Sequence, residues 1–421
     1  MGKKARRKRQ EGHASDGQVA ATATPAQPAS YHFAALSGLR GLAALGVFCL
    51  HAYGLAGMPQ LAPGHPELSF LLAWPMRMGW SGVDVFFTLS AFLLALPFAR
   101  AGLADARAPD LRDYAEHRAL RILPAYAVQL LVLFALVALG ASSGLIDPPL
   151  TPGRLLVQPL FAYDLGWPGV ATAQLPLIGS WWTLPVEIAF YLLLPWLARL
   201  LRPRRWCWLL LAIPFAWGWR ALLLWKYPPS MTQVWTVEHL PGRIDQFAIG
   251  MLAAYAFVRA PRVLDAVRGR VADGLFLLAA VAFLLLPALG YVTGVPVGES
   301  PSRHPLLIGW HTYASLAAAA MLVAAARGAP LVARIVGCLP LRMLGHVSYG
   351  FYLWHVPVLL WLRSEGGAVA AGGPFFFILD GLLFSLVAAM ASWWFVERPA
   401  MRFAQRRRAA RMAAPFPASA P

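Results

Sequence analysis

Charge is scarce in this sequence. Aspartate, glutamate, lysine and arginine make up 13% of its 421 residues, and only 19 are acidic, against about a quarter charged in an ordinary soluble domain. With 59% hydrophobic residues, the chain has too little polar surface for an ordinary water-soluble fold, and the composition is that of a protein with a bilayer as solvent. Cysteine is scarce too. Cys49, Cys207 and Cys338 sit in or beside apolar runs with neither pairing nor metal-ligand spacing, so neither a disulfide framework nor a metal site is expected. The charge that is present is unbalanced, at a formal +17. In a soluble chain that excess would point to nucleic acid. Here the basic residues fall in short segments between apolar runs, which is an orientation signal in a membrane, and no nucleic-acid partner is expected.

Residues 1–32 open with a basic patch, Lys3 to Arg9, followed by an Ala/Thr/Pro/Gln stretch. That composition cannot bury a core and reads as a disordered cytoplasmic tail. The first apolar run starts too far beyond the charged patch, and extends too far, for a cleavable signal peptide. Runs of about 20 apolar residues then predict helices near 36–57, 80–99, 119–140, 181–201, 206–225, 243–258, 274–292, 307–326, 343–363 and 375–396. The fold class expected is an all-α polytopic integral membrane protein of about ten transmembrane helices, with both termini cytoplasmic. The membrane domain spans 33–403, and 404–421 is a basic Ala/Pro-rich cytoplasmic tail. The basic residues agree with this threading: 28 of the 36 lysines and arginines fall in segments on the N-terminal side and six on the other, as the positive-inside rule requires.

Within LSGLRGLAALGVFCLHAY, Leu36 to Tyr53, two ionisable residues interrupt the apolar run. Arg40 and His51 are eleven positions apart, about three helical turns, which aligns them on one face roughly 16.5 Å apart along the axis. Either one alone reads as a snorkelling or packing residue. As an aligned pair inside a membrane helix they are functional candidates. Toward the inner side lie Arg118 and Arg121 in HRALRILPAY, neighbours at i and i+3, with the geometry of a phosphate clamp or of an ordinary positively charged helix end. Toward the outer side lie Asp84, Glu187, Arg243 with Asp245, and His355. Asp84 and Glu187 either pin helices together through Arg243 or act at the site, and His355 either packs near the kink expected at Pro357 or supports the substrate site. The outer segment from Ala141 to Ser180 contains Tyr163, Asp164, Trp167 and Gln174, suited to holding a sugar or to lying on the membrane surface. A path with phosphate-binding character inside, and carboxylates and aromatics outside, suits a reaction between a cytosolic phosphorylated donor and an acceptor on the other face. A transporter with buried charges along its substrate path is the alternative.

The first-helix stretch resembles the signature of the membrane acyltransferase family 3, the bacterial O-acetylase type, in which an arginine and a histidine stand as Arg40 and His51 do. The resemblance continues in order through SGVDVFFTLSAFLLALP, RALRILPAY, WWTLPVEIAFYLLLPWL, LGHVSYGFYLWHVPV and FVERP, covering roughly 33–403. Ala91 replaces a usual glycine. Pro185 replaces a usual serine and is expected to bend the helix beside Glu187. The resemblance implies transfer of an acyl group, usually acetyl, from acyl-CoA as donor substrate to a hydroxyl, with no permanently bound cofactor, in the bacterial cytoplasmic (inner) membrane. The acceptor would be a cell-envelope glycan, a lipid-linked sugar or a small molecule. His51 would remove the hydroxyl proton or carry the acyl group itself, and Arg118 and Arg121 would hold the CoA phosphates. Arg40 would join them or stabilise charge on the thioester oxygen, with Glu187 or Asp84 orienting the histidine or binding the acceptor.

Overall fold

The computed structural model describes residues 31–104, 108–139, 161, 179–229, 237–260, 264–292, 304–364 and 367–413, and among these no strand occurs. The helices are α1 Tyr31–Leu55, α2 Pro66–Arg77, α3 Gly82–Ala104, α4 Leu111–Ala138, α5 Thr183–Leu197, α6 Ala212–Lys226, α7 Leu240–Arg259, α8 Arg270–Val292, α9 Leu306–Ala326, α10 Pro330–Ile335, α11 Leu339–Ser364, α12 Gly367–Ser392 and α13 Arg398–Ala413. A helix stands at each of the ten apolar runs. Seven stretches among the described residues are long and apolar enough to cross a bilayer. α7 falls short of that set because it carries Arg243, Asp245 and Gln246, all buried, and polar residues turned inward lower a helix's hydropathy without facing lipid. Tyr163, Asp164, Trp167 and Gln174 lie outside the described residues.

Large apolar side chains point outward over the surface, among them Leu131, Leu192, Trp225, Leu278 and Phe375, each at least 66% exposed. In water this would be an aggregation surface, whereas in a bilayer it is the lipid face. The protein is a multi-pass helical membrane protein. Because lipid is as apolar as leucine, helices in it associate through close approach of small residues and through polar contacts. Both occur here. α1 lies against α11 so closely that a Cβ on Gly345 would sit 1.9 Å from the Ser37 carbonyl oxygen, and one on Gly41 would sit 2.1 Å from that of Leu341. This contact, among the most extensive in the fold, fixes which α11 residues meet the Arg40–His51 face. α3 pairs with α7, and α8 with α9.

Two prolines are accommodated differently. Pro185 is the third residue of α5, directly after the 3-10 turn Gly179–Trp182, so it stands where the helical pitch changes and not in the helix interior. Pro357 lies inside α11 and leaves the Leu353 carbonyl without its helical donor. The buried Gln129 amide of α4 donates to that carbonyl at 2.5 Å. Between α12 and α13 the chain makes one π-helical turn, Trp393–Glu397, and α13 continues across residue 404, where the sequence pattern suggests that the tail begins.

Candidate active site

The eight site residues expected from the sequence separate into three groups. The first lines a cavity of about 420 Å³, with Arg40 from α1, Arg118 and Arg121 from α4, and Glu187 from α5. A smaller cavity of about 250 Å³ shares Arg40, Arg121 and Trp393 with it. The three guanidinium groups are not equivalent. Arg121 is bound to Glu397 at 3.0 Å and lies over the rings of Tyr349 and Trp393. Arg118 makes no ion pair among the described residues and lies over the Tyr191 ring. Arg40 has none either, and its Nε is buried without a hydrogen-bond partner. A half-buried guanidinium whose buried Nε is unused, beside an open cavity, is suited to an anionic or strongly accepting ligand. Glu187 does not reach Arg243. Its Oε1 accepts hydrogen bonds from Ser90 at 3.0 Å and from Tyr191, the ring over which Arg118 lies, so the carboxylate lines the same cavity as the arginines.

The second group is the pair His51 and His355. His355 Nδ1 lies 2.7 Å from the Tyr352 carbonyl and 3.2 Å from that of Phe351. A carbonyl only accepts, so Nδ1 carries the proton and Nε2 is an acceptor. That Nε2 is 3.1 Å from His51 Nδ1, which is also 2.9 Å from the Val47 carbonyl. His51 Nδ1 is therefore the protonated nitrogen as well. Its Nε2 keeps its lone pair and has no partner among the described residues. The half-buried His51 is thus held in the tautomer of a base. Tyr352 separates this pair from the arginine cavity: it lines the cavity, its ring centroid is 5.7 Å from that of His355, and its hydroxyl is tied to Thr183 at 2.7 Å and to the Ser180 carbonyl.

The third group, Asp84 and Arg243, belongs to a buried polar lattice and lines neither cavity. Arg243 binds Asp84 at 2.7 Å and also Glu238, while His311 lies 3.0 Å from Asp84 and 3.5 Å from Glu238. Beside it the fully buried Arg220 binds Asp245 at 2.6 Å, and Asp245 accepts from Thr312 at 2.5 Å. These contacts tie α3, α6, α7 and α9 together. Of the two carboxylates left open by the sequence, Asp84 is in this lattice and Glu187 is in the cavity. Sequence reasoning passed over Glu397, Glu238, His311 and Gln129. Each is a polar residue in or beside an apolar run, which was the available signal, and Glu397 is the acidic residue of FVERP.

A multi-pass membrane protein with a cationic chamber, and with a histidine on the helix that carries one of its arginines, is the class that fold and site define. Residues 33–398 match the acyltransferase domain of acyltransferase family 3, and the chain belongs to that family. It is an O-acyltransferase, which decides against the transporter alternative. Among curated relatives it is 26% identical over 348 residues to the exopolysaccharide production protein ExoZ of Rhizobium meliloti (strain 1021), covering 79% of this chain and 92% of ExoZ. It is 27% identical over 411 residues to the acyltransferase MdmB of Streptomyces mycarofaciens, covering 89% of this chain and 92% of MdmB. No solved structure matches it.

Proposed function

We propose that this protein transfers an acyl group, acetyl in the first instance, from cytosolic acyl-CoA to a hydroxyl of a cell-envelope glycan, a lipid-linked sugar or a sugar-bearing small molecule at the bacterial cytoplasmic membrane. The observation that carries the reading is the cavity in which Arg40 and Arg118 converge without ion-pair partners among the described residues, with a histidine whose Nε2 is unprotonated about three turns from Arg40 along α1. Guanidinium groups recognise phosphates through paired N–H donors, and a phosphorylated thioester donor supplies both the anion for the arginines and the acyl group. A surface glycan is favoured among acceptors by the exopolysaccharide role in the name of ExoZ.

In this scheme His51 Nε2 takes the proton of the acceptor hydroxyl as the oxygen attacks the thioester carbonyl carbon. The resulting imidazolium donates Nδ1–H to Val47 and to His355, so the charge forms where acceptors already point at it. The C–S bond then breaks, the departing sulfur takes the proton from His51, and the products are the ester and free CoA. Arg40 stands about three turns of α1 from His51, too far to reach the reacting carbonyl, and its unused Nε donates to an acceptor group of the acyl-CoA within the arginine cavity. Glu187 binds donor N–H or O–H groups along the cavity wall.

The test is transfer of radiolabelled acetyl from acetyl-CoA to envelope glycan in membranes, with wild-type protein and His51→Ala compared at equal membrane insertion. Loss of transfer by about 10²–10⁴-fold is expected for removal of a general base. Full activity in His51→Ala would remove the mechanism, and no label with the wild type would remove the donor or acceptor assignment.

A further inference from the structure

The helix α13, Arg398–Ala413, contains six arginines, and the fold divides them by task. Arg407 and Arg411 bind Glu116, at 3.3 and 2.7 Å, and Arg408 and Arg411 bind Asp113. With Ala404 fully buried, these contacts dock one face of α13 on the first turns of α4. Arg398 lies over Trp394. A second stripe, Met401 and Gln405, forms part of the wall of the arginine cavity. Arg402 and Arg406 follow next round the helix, both exposed and both without an ion pair among the described residues. On a 3.6-residue helix, positions i and i+4 stand one above the other, so the two unpaired guanidinium groups form a ladder beside the cavity mouth. The root of α13 reaches the cavity as well, since Glu397 of the π turn holds Arg121.

We infer that α13 is the nucleotide-binding cover of the donor site, with Arg402 and Arg406 receiving the phosphorylated nucleotide end of acyl-CoA while its pantetheine arm runs into the cavity toward Arg40. The assignment rests on the acyl-CoA reading above. It follows from continuity and charge: the stripe facing the cavity and the unpaired cations beside it are on one helix, and the arginines that hold that helix down have all been matched by acids. An arm that enters between Met401, Gln405 and Arg118 leaves its nucleotide outside the cavity, against the exposed side of α13. The ladder matches the 3′-phosphate there by charge-assisted hydrogen bonds, and the diphosphate is left at the cavity mouth for Arg118.

The experiment compares binding of CoA and of dephospho-CoA, which lacks the 3′-phosphate, to the full-length protein in lipid nanodiscs. The variants are wild type and the double substitution Arg402→Gln with Arg406→Gln, both positions lying on the surface. Wild type is expected to prefer CoA, and the double variant to lose about tenfold in CoA affinity while its affinity for dephospho-CoA changes less, so that the preference shrinks. Discs of phosphatidylcholine alone and of phosphatidylcholine with phosphatidylglycerol separate the two sources of phosphate. A difference between wild type and variant that appears only with the anionic lipid assigns the ladder to the membrane surface and overturns the inference. A double variant that keeps the full preference for CoA overturns it too, while leaving the acyl-CoA reading intact. Absence of CoA binding by wild type overturns that reading itself.

Discussion

Arg118 and Arg121 are neighbours on α4 and do different work. Arg121 already has a carboxylate, Glu397, whereas Arg118 has, among the described residues, the Tyr191 ring beneath it and no carboxylate. Arg118→Ala is therefore expected to raise KM for acetyl-CoA about tenfold with a smaller change in kcat, as for loss of one charge-assisted contact. Steady-state kinetics with varied donor check this, and an unchanged KM would remove Arg118 from the donor site. Arg121→Ala leaves Glu397 buried and uncompensated, which costs on the order of 3–5 kcal/mol and lowers the melting temperature of the purified protein. Adding Glu397→Gln removes the stranded charge and is expected to recover most of that loss. A double variant no more stable than Arg121→Ala would show that the pair does not carry the structure. The arginines were visible in the sequence as polar interruptions of apolar runs. Which of them was spent on a carboxylate was not, because Glu397 is 276 residues away along the chain.

At the level of the helix, the position of His51 depends on how closely α1 approaches α11. A methyl group on Gly345 meets backbone, the Ser37 carbonyl, and cannot be relieved by a rotamer change. Gly345→Ala is expected to destabilise the protein by about 1–3 kcal/mol and to lower kcat by widening the His51–His355 contact, while donor affinity stays near wild type. Thermal unfolding and donor binding measured on one preparation test both halves. A stable, fully active Gly345→Ala protein would refute the close-packed α1–α11 contact. The helices themselves could be read from apolar run length, since a bilayer requires every backbone group to be paired within its own segment. Helix partners could not, and neither could the rescue of the Leu353 carbonyl by Gln129, because both depend on which faces meet across the chain.

For the whole molecule, the distribution of basic residues predicts a sidedness that one cysteine reports directly. Cys207 is exposed and follows Arg199, Arg202, Arg204 and Arg205, which the positive-inside rule puts in the cytosol. In a protein with Cys49 and Cys338 replaced by serine, a membrane-impermeant thiol reagent is expected to label Cys207 in inverted vesicles and not in intact cells. Labelling in intact cells would reverse the orientation, and with it the cytosolic placement of the donor cavity.

By itself the sequence determined that this is a multi-pass helical membrane protein, roughly where its helices run, and that Arg40 and His51 share a face. All of these follow from local periodicity and from the cost of exposing polar groups to lipid. The tertiary structure alone decided how eight polar candidates were grouped. It placed Asp84 and Arg243 in a structural lattice, Glu187 with the arginines, and His355 against His51. An ion pair or hydrogen bond between helices is decided by which faces pack together, and that depends on small residues and buried partners far apart in the chain, which no local pattern encodes.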